Sequence, residues 1–204
     1  MTIFVVGSSH ARRIGVKLER IPRIEPVVNL GIPGAKFSNL KWPDKKDVKV
    51  GDKILVVPFG NDLQNHRARK EDGLWKIQKY SPISEERYSD LMEQLKVKLA
   101  EYPSSACDKF IVTNFYRFLG PKPQHNHFPG WFSSQKRYNR VFDSLETDSR
   151  TFVIRHQTIV SSFADREKAL RNWLFYSQLQ YDGIHFRDYD KIARNILDFI
   201  KIVC

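Results

Sequence analysis

Five short apolar segments recur along this chain, and the text between them has helical or loop character. They are Ile3–Val6, Val27–Leu30, Lys53–Pro58, Asp108–Phe115 and Thr151–Arg155. Strands that alternate with helices are joined by crossovers rather than hairpins, so they pair in parallel. The third segment, Lys53-Ile-Leu-Val-Val-Pro58, is apolar at four consecutive positions, the pattern of a strand covered on both faces. Between the strands, residues 10–20 and 84–102 read as helices. In the second, Tyr88, Leu91, Met92, Leu95 and Leu99 follow i, i+3, i+4, i+7 and i+11, which marks a core-facing stripe. Helix returns around Ser134–Leu145, in part over 163–179, and in a last helix capped by Asp188, where Ile192, Ala193, Ile196, Leu197 and Ile200 share one face. The expected fold is a three-layer α/β sandwich: a five-stranded parallel, flavodoxin-like sheet with helices on both faces. Residues 1–204 read as one domain, with long loops at 63–83 and 116–132.

Composition narrows the class of partner. Lys and Arg number 34 against 23 Asp and Glu, a formal net charge of +11. Such an excess favours anionic surroundings (RNA or DNA, an anionic lipid surface or an acidic partner), although a basic protein with none of these reads the same way. Two cysteines, Cys107 and Cys204, offer no disulfide framework, and no apolar run approaches the length of a membrane span. With no basic segment ahead of the first apolar run, no signal peptide is expected. An intracellular setting, cytoplasmic or nuclear, is the simplest expectation.

The first segment runs into Gly7-Ser-Ser-His10 and then into helical text. A strand, a tight turn and a helix N-terminus lift a side chain above the carboxyl end of a parallel sheet, where open α/β folds bind ligands. A serine there faces backbone N–H groups and the positive end of the helix dipole. The plain alternative is that Ser8 or Ser9 only caps the helix. His10 reads as a surface helix position that could tune a neighbouring serine.

Three further signals join it: Gly31-Ile-Pro-Gly34, Gly60-Asn-Asp62 and Asp182-Gly-Ile-His185. The first two follow the second and third strands, so in a parallel sheet they share an edge with Ser9. The last precedes the final helix and can fold back over that edge. In order and spacing the four stretches resemble the blocks of the SGNH (GDSL-type) hydrolases, over nearly the whole chain. The Gly-x-Ser-x-Gly elbow of α/β-hydrolases is absent. Gly7-Ser-Ser-His-Ala-Arg-Arg13 also resembles the start of esterase domains in animal retrotransposon open reading frames.

The resemblance implies a serine esterase acting on a small, acetyl-like acyl ester, with no cofactor and no metal. It implies Ser9 as nucleophile and Asp182 and His185 as the other triad members. Ser9 and Gly34 would supply backbone N–H groups, and Asn61 a side-chain amide, to an oxyanion hole. These residue types suit the chemistry: a hydroxyl needs a base, imidazole titrates in the right range, and a carboxylate fixes its tautomer. Two positions depart from the family. Ser8 stands where Asp is usual, and Phe59 stands where the third block has glycine, which bears on the turn that aims Asn61.

The basic and aromatic residues of the two long loops, Arg67, Arg69, Lys70, Trp75 and Trp131 among them, are expected to line the approach to Ser9 and contact substrate or partner. Solvated loops with their aromatics tucked on the core are the alternative. His125-Asn-His127 has no matching Cys/His pair nearby and is not expected to hold a metal. Against the esterase stands a non-catalytic module of the same fold that binds nucleic acid or a protein through its basic surface.

Overall fold

The computed structural model describes residues 1–22, 25–59, 61–71, 74–115, 137–139, 141–145, 149–156, 159 and 185–203. Its strands are β1 (Ile3–Gly7), β2 (Val27–Asn29), β3 (Asp52–Val57), β4 (Gln64–Glu71), β5 (Leu74–Pro82), β6 (Cys107–Val112) and β7 (Thr151–Ile154). Its helices are α1 (Ser9–Leu18), α2 (Glu85–Ala100) and α3 (Tyr189–Val203). One sheet has the order β2-β1-β3-β6-β7 and is parallel throughout, so all five expected strands are present and the α/β class holds.

Side-chain alternation along the strands builds two cores. Ile3, Val5, Leu55, Val57, Phe110 and Val112 face α1 and α3, meeting Ile14, Leu18, Ile192, Ile196 and Ile200. Val6, Ile54, Val56, Ile111 and Val153 face α2, meeting Leu91, Met92, Leu95 and Leu99. β1 and β3 are buried on both sides, which is why their apolar runs are nearly unbroken, whereas Val28 of the edge strand β2 is exposed. Asp188 caps α3 as expected, its Oδ1 accepting from Lys191 N–H at 2.9 Å. Ser84 caps α2, accepting from Arg87 N–H.

The chain leaves β1 toward β2 on one side, then returns to β3 on the other. This reversal makes β1 and β3 the topological switch point, and their following segments depart to opposite faces. A crevice opens between them at the carboxyl edge of the sheet.

The stretch 63–83 corrects the expectation of a loop. It forms an antiparallel hairpin, β4–β5, in a two-stranded sheet of its own, with Gln64 opposite Pro82 and Glu71 opposite Leu74. In the sequence, Asp72-Gly73 separates the two strand segments and is a strong two-residue hairpin signal. Phe37–Asn39 forms a short 3-10 turn. The second long loop, residues 116–132, and the helical stretch 163–179 lie outside the described residues.

Where β6 and β7 end, a polar network is buried. Thr113 Oγ1 accepts from His156 N–H at 2.9 Å and lies 2.9 Å from His156 Nδ1. Asn139 Nδ2 lies 3.2 Å from the same nitrogen and donates to Asn114 O, while its Oδ1 accepts from Asn114 N–H. An amide nitrogen can only donate, so Nδ1 is the acceptor and the ring proton sits on Nε2. Burial pushes the His156 imidazole down to about 3. The native state therefore keeps His156 neutral, whereas the unfolded chain protonates it below about pH 6.5. Between those values the unfolded state binds more protons, so stability falls as pH drops through that window, by at most about 1.4 kcal/mol per pH unit from this group. Urea denaturation at pH 7 and pH 4.5 is expected to show the loss, and His156→Gln is expected to reduce it. An equal loss in the variant would assign the slope elsewhere.

Candidate active site

The turn after β1 is built on Gly7. Its φ is +147°, and a Cβ there would lie 2.4 Å from the carbonyl oxygen of Val57 in the adjacent strand. Only glycine allows this approach of β1 to the end of β3. Ser8 follows, fully buried, and Ser9 is the first residue of α1. Ser8 occupies the cap position, but its side chain makes no capping hydrogen bond, so the plain reading of a capping serine does not hold. The first turn of α1 contains no acidic residue. Ser9 is half-buried.

The second and third turns are tied to the first and to each other. Ile32 N–H donates to Gly7 O at 3.0 Å. Asn61 Nδ2 donates to Ala35 O at 3.2 Å, and Asp62 Oδ2 accepts from Phe37 N–H at 2.8 Å. Gly34 is exposed with φ +78°, left-handed backbone that other residues adopt at a cost. Phe59 turns into the core and packs on Phe37, Tyr88 and Phe142, with ring centroids 5.5, 6.0 and 6.0 Å away. The bulk that stands where the SGNH blocks have glycine is therefore directed inward, and Asn61 lines the cleft.

His185 precedes α3. Its neighbour Phe186 is 1% exposed and meets Phe115 edge-on at 5.0 Å and Tyr189 at 6.0 Å. That anchor fixes where the backbone presents the imidazole. Behind it lies His10, which is buried rather than on the surface as expected. Its Nδ1 is 2.7 Å from Tyr189 Oη, and its ring centroid is 5.5 Å from that of His185. His10, Ile14 and Leu18 fall at i, i+4 and i+8, so α1 carries its histidine on the core-facing side.

These elements enclose a cleft of about 400 Å³ lined by Ser9, Arg12, Arg13, Pro33, Gly34, Asn61 and His185. Four of the five positions implied by the SGNH resemblance, drawn from both ends of the chain, thus border one space. Asp182, the fifth, lies outside the described residues, as do Trp131, His125 and His127. Arg67, Arg69, Lys70 and Trp75 belong to the β4–β5 hairpin, with Arg67 opposite Lys79 and Lys70 opposite Trp75. Among the described residues no cluster of His, Cys, Asp and Glu could hold a metal, and no helix is long and apolar enough to cross a membrane.

No protein-family model and no curated protein matches the chain. Solved structures do. One, from Streptococcus pneumoniae and provisionally described as a platelet activating factor, superposes with a TM-score of 0.59 at 14% identity, covering 98% of this chain and 83% of its own. Protein YxiM of Bacillus subtilis does so with a TM-score of 0.59 at 16% identity, over 98% of this chain but 56% of its own. The fold is SGNH-hydrolase-like. At such identities the likeness speaks for the architecture and for no residue's role. This chain spans little more than half of YxiM. The shorter resemblance of Gly7–Arg13 to retrotransposon esterase domains gains nothing from either neighbour.

Sequence reasoning singled out His10 but placed it on the surface, and it missed Phe186 and Tyr189, which with His10 form the wall behind His185, and the place of Arg12 and Arg13 on the cleft. The i, i+4, i+8 spacing of His10 was the available signal. For the arginines it was their position one turn after Ser9.

Proposed function

We propose that the protein is a serine esterase that removes a small, acetyl-like acyl group through an acyl-enzyme on Ser9. The reading is carried by one observation: Ser9, Gly34, Asn61 and His185 line the same cleft at the switch point of the sheet. Ser9 Oγ attacks the acyl carbon as its proton passes to His185. The carbonyl oxygen becomes an oxyanion, received by the backbone N–H groups of Ser9 and Gly34 and by the Asn61 amide. The carbon–oxygen bond to the alcohol breaks, and the imidazolium returns its proton to the leaving oxygen. A water molecule, deprotonated by His185, then attacks the acyl-enzyme, the bond from the acyl carbon to Ser9 Oγ breaks, and the imidazolium returns its proton to Ser9 as the acid leaves. Asp182 is assigned, by the family resemblance, to hold the imidazole and stabilise its charged form.

The test is labelling with a fluorophosphonate, the adduct located by mass spectrometry, alongside hydrolysis of 4-nitrophenyl acetate. The expected result is an adduct on Ser9 and loss of both signals in Ser9→Ala. No adduct on the folded protein, with nucleic-acid binding that survives Ser9→Ala, selects the non-catalytic module instead.

A further inference from the structure

Two of the seven residues that line the cleft are consecutive arginines, and no carboxylate lines it among the described residues. Ser9, Arg12 and Arg13 stand at i, i+3 and i+4 on α1. That spacing puts them on one helix face, with Cβ atoms roughly 5–6 Å apart.

The main chain that carries Arg12 is clamped. Asn29 Nδ2 donates to Arg12 O at 3.0 Å, while Asn29 Oδ1 accepts from Gly31 N–H at 3.1 Å. Gly31 packs so closely that a Cβ there would lie 2.3 Å from Arg12 N and 2.5 Å from its Cα. One asparagine and one glycine thus fix the helix against the second turn, and with it the origin of the Arg12 side chain. Arg13 lies over the Tyr189 ring, its Cζ 5.7 Å from the centroid. Tyr189 also contacts His10 behind His185, so this guanidinium is referenced to the same wall as the imidazole.

The charges differ in how they are used. Lys17, farther along the same helix, is neutralised by Asp190 at 2.6 Å. Arg12 is exposed and forms no ion pair among the described residues. The Arg12 guanidinium, with no ion pair among the described residues, stands beside a serine at a helix end with no acid in its first turn, and is matched by a planar or tetrahedral oxyanion. Guanidinium groups bind carboxylate and phosphate through paired, charge-assisted hydrogen bonds.

We propose that Arg12 and Arg13 form an anion subsite beside Ser9, and that the ester taken by this cleft carries a carboxylate or phosphate within reach of one helical turn from the scissile carbonyl. The inference rests on the esterase reading for its substrate and on the arginines alone for its anion. It also moves substrate selection from the hairpin, where Arg67, Arg69 and Lys70 lie, to the first helix.

Two ester pairs test it. Mono-4-nitrophenyl glutarate against 4-nitrophenyl butyrate places the charge on the acyl side. 3-Carboxy-4-nitrophenyl acetate against 4-nitrophenyl acetate places it on the leaving side. The expected result is a kcat/KM preference for the anionic member of at least one pair by about tenfold or more. That ratio is expected to fall by about tenfold in Arg12→Gln and in Arg13→Gln, to be partly kept in Arg12→Lys, and to shrink with added salt. No anionic preference in either pair, or a preference indifferent to both glutamine variants, overturns the subsite. If no ester turns over and Ser9 takes no fluorophosphonate, the esterase reading falls by itself. Calorimetric titration with inorganic phosphate then decides the subsite: binding lost in Arg12→Gln upholds it, and absent or unchanged binding overturns it.

Discussion

Truncating Phe59 to alanine is expected to cost about 3–5 kcal/mol of folding stability, the range for removing a buried phenyl ring. The ring is 1% exposed and surrounded by Phe37, Tyr88 and Phe142. These partners come from the second turn, from α2 and from the β6–β7 connection, so relaxation of any one cannot fill the space. For a chain of this size the loss corresponds to roughly 6–20 °C in Tm. Phe59→Gly, which introduces the residue usual in the SGNH third block, is expected to cost about 0.5–1 kcal/mol more through backbone freedom. Thermal and urea denaturation of the two variants read both effects. A Phe59→Gly variant as stable as the parent would mean that the turn tolerates the family residue and that the aromatic packing contributes little.

His185→Ala is expected to lower kcat for ester hydrolysis by a factor on the order of 10⁴–10⁶, as removal of a triad base does. The fold should survive, because His185 is half-buried and the apolar anchor at that point is Phe186. The discriminating result is the double variant. Ser9→Ala and His185→Ala together should be no slower than Ser9→Ala alone, since a base with no nucleophile to activate has nothing left to contribute. Losses that multiply across the two sites would show that the residues act independently and would break the proposed triad. Steady-state kinetics on 4-nitrophenyl acetate, with circular dichroism to verify folding, provide the measurement.

Much of the architecture was legible because its physics is local. Strands covered on both faces must be apolar almost throughout, and Ile54-Leu-Val-Val57 says so without any knowledge of its neighbours. The stripes on α2 and α3 are equally plain. The hairpin was not legible in this way, because Gln64-Asn-His-Arg-Ala-Arg-Lys-Glu71 has one apolar residue in eight and no alternation of period two. Only Asp72-Gly73 pointed to it, and a turn signal between polar flanks is easily taken for a loop. The cleft was half legible. Residues that follow parallel strands must emerge on one edge, which grouped Ser9, Gly34 and Asn61. The burial of His10 and the clamp on Arg12 depend instead on how α1 meets α3 and the second turn. The spacing of His10 with Ile14 and Leu18 marks its side of α1, but partners as far away in sequence as Tyr189 cannot be read from one segment.

The hairpin closes on itself before it leaves the body of the protein. Ile83 N–H donates to Leu63 O at 3.3 Å, and both residues are buried among the α2-side core. The chain is thus already joined at the root of the projection, and loop closure grows only slowly more costly with added length. Shortening, extending or exchanging the segment between Leu63 and Ile83 is expected to leave the five-stranded sheet in place, since its two ends are already held together. Variation in what this scaffold accepts can accordingly arise by trading one appendage, with the five-stranded platform left alone.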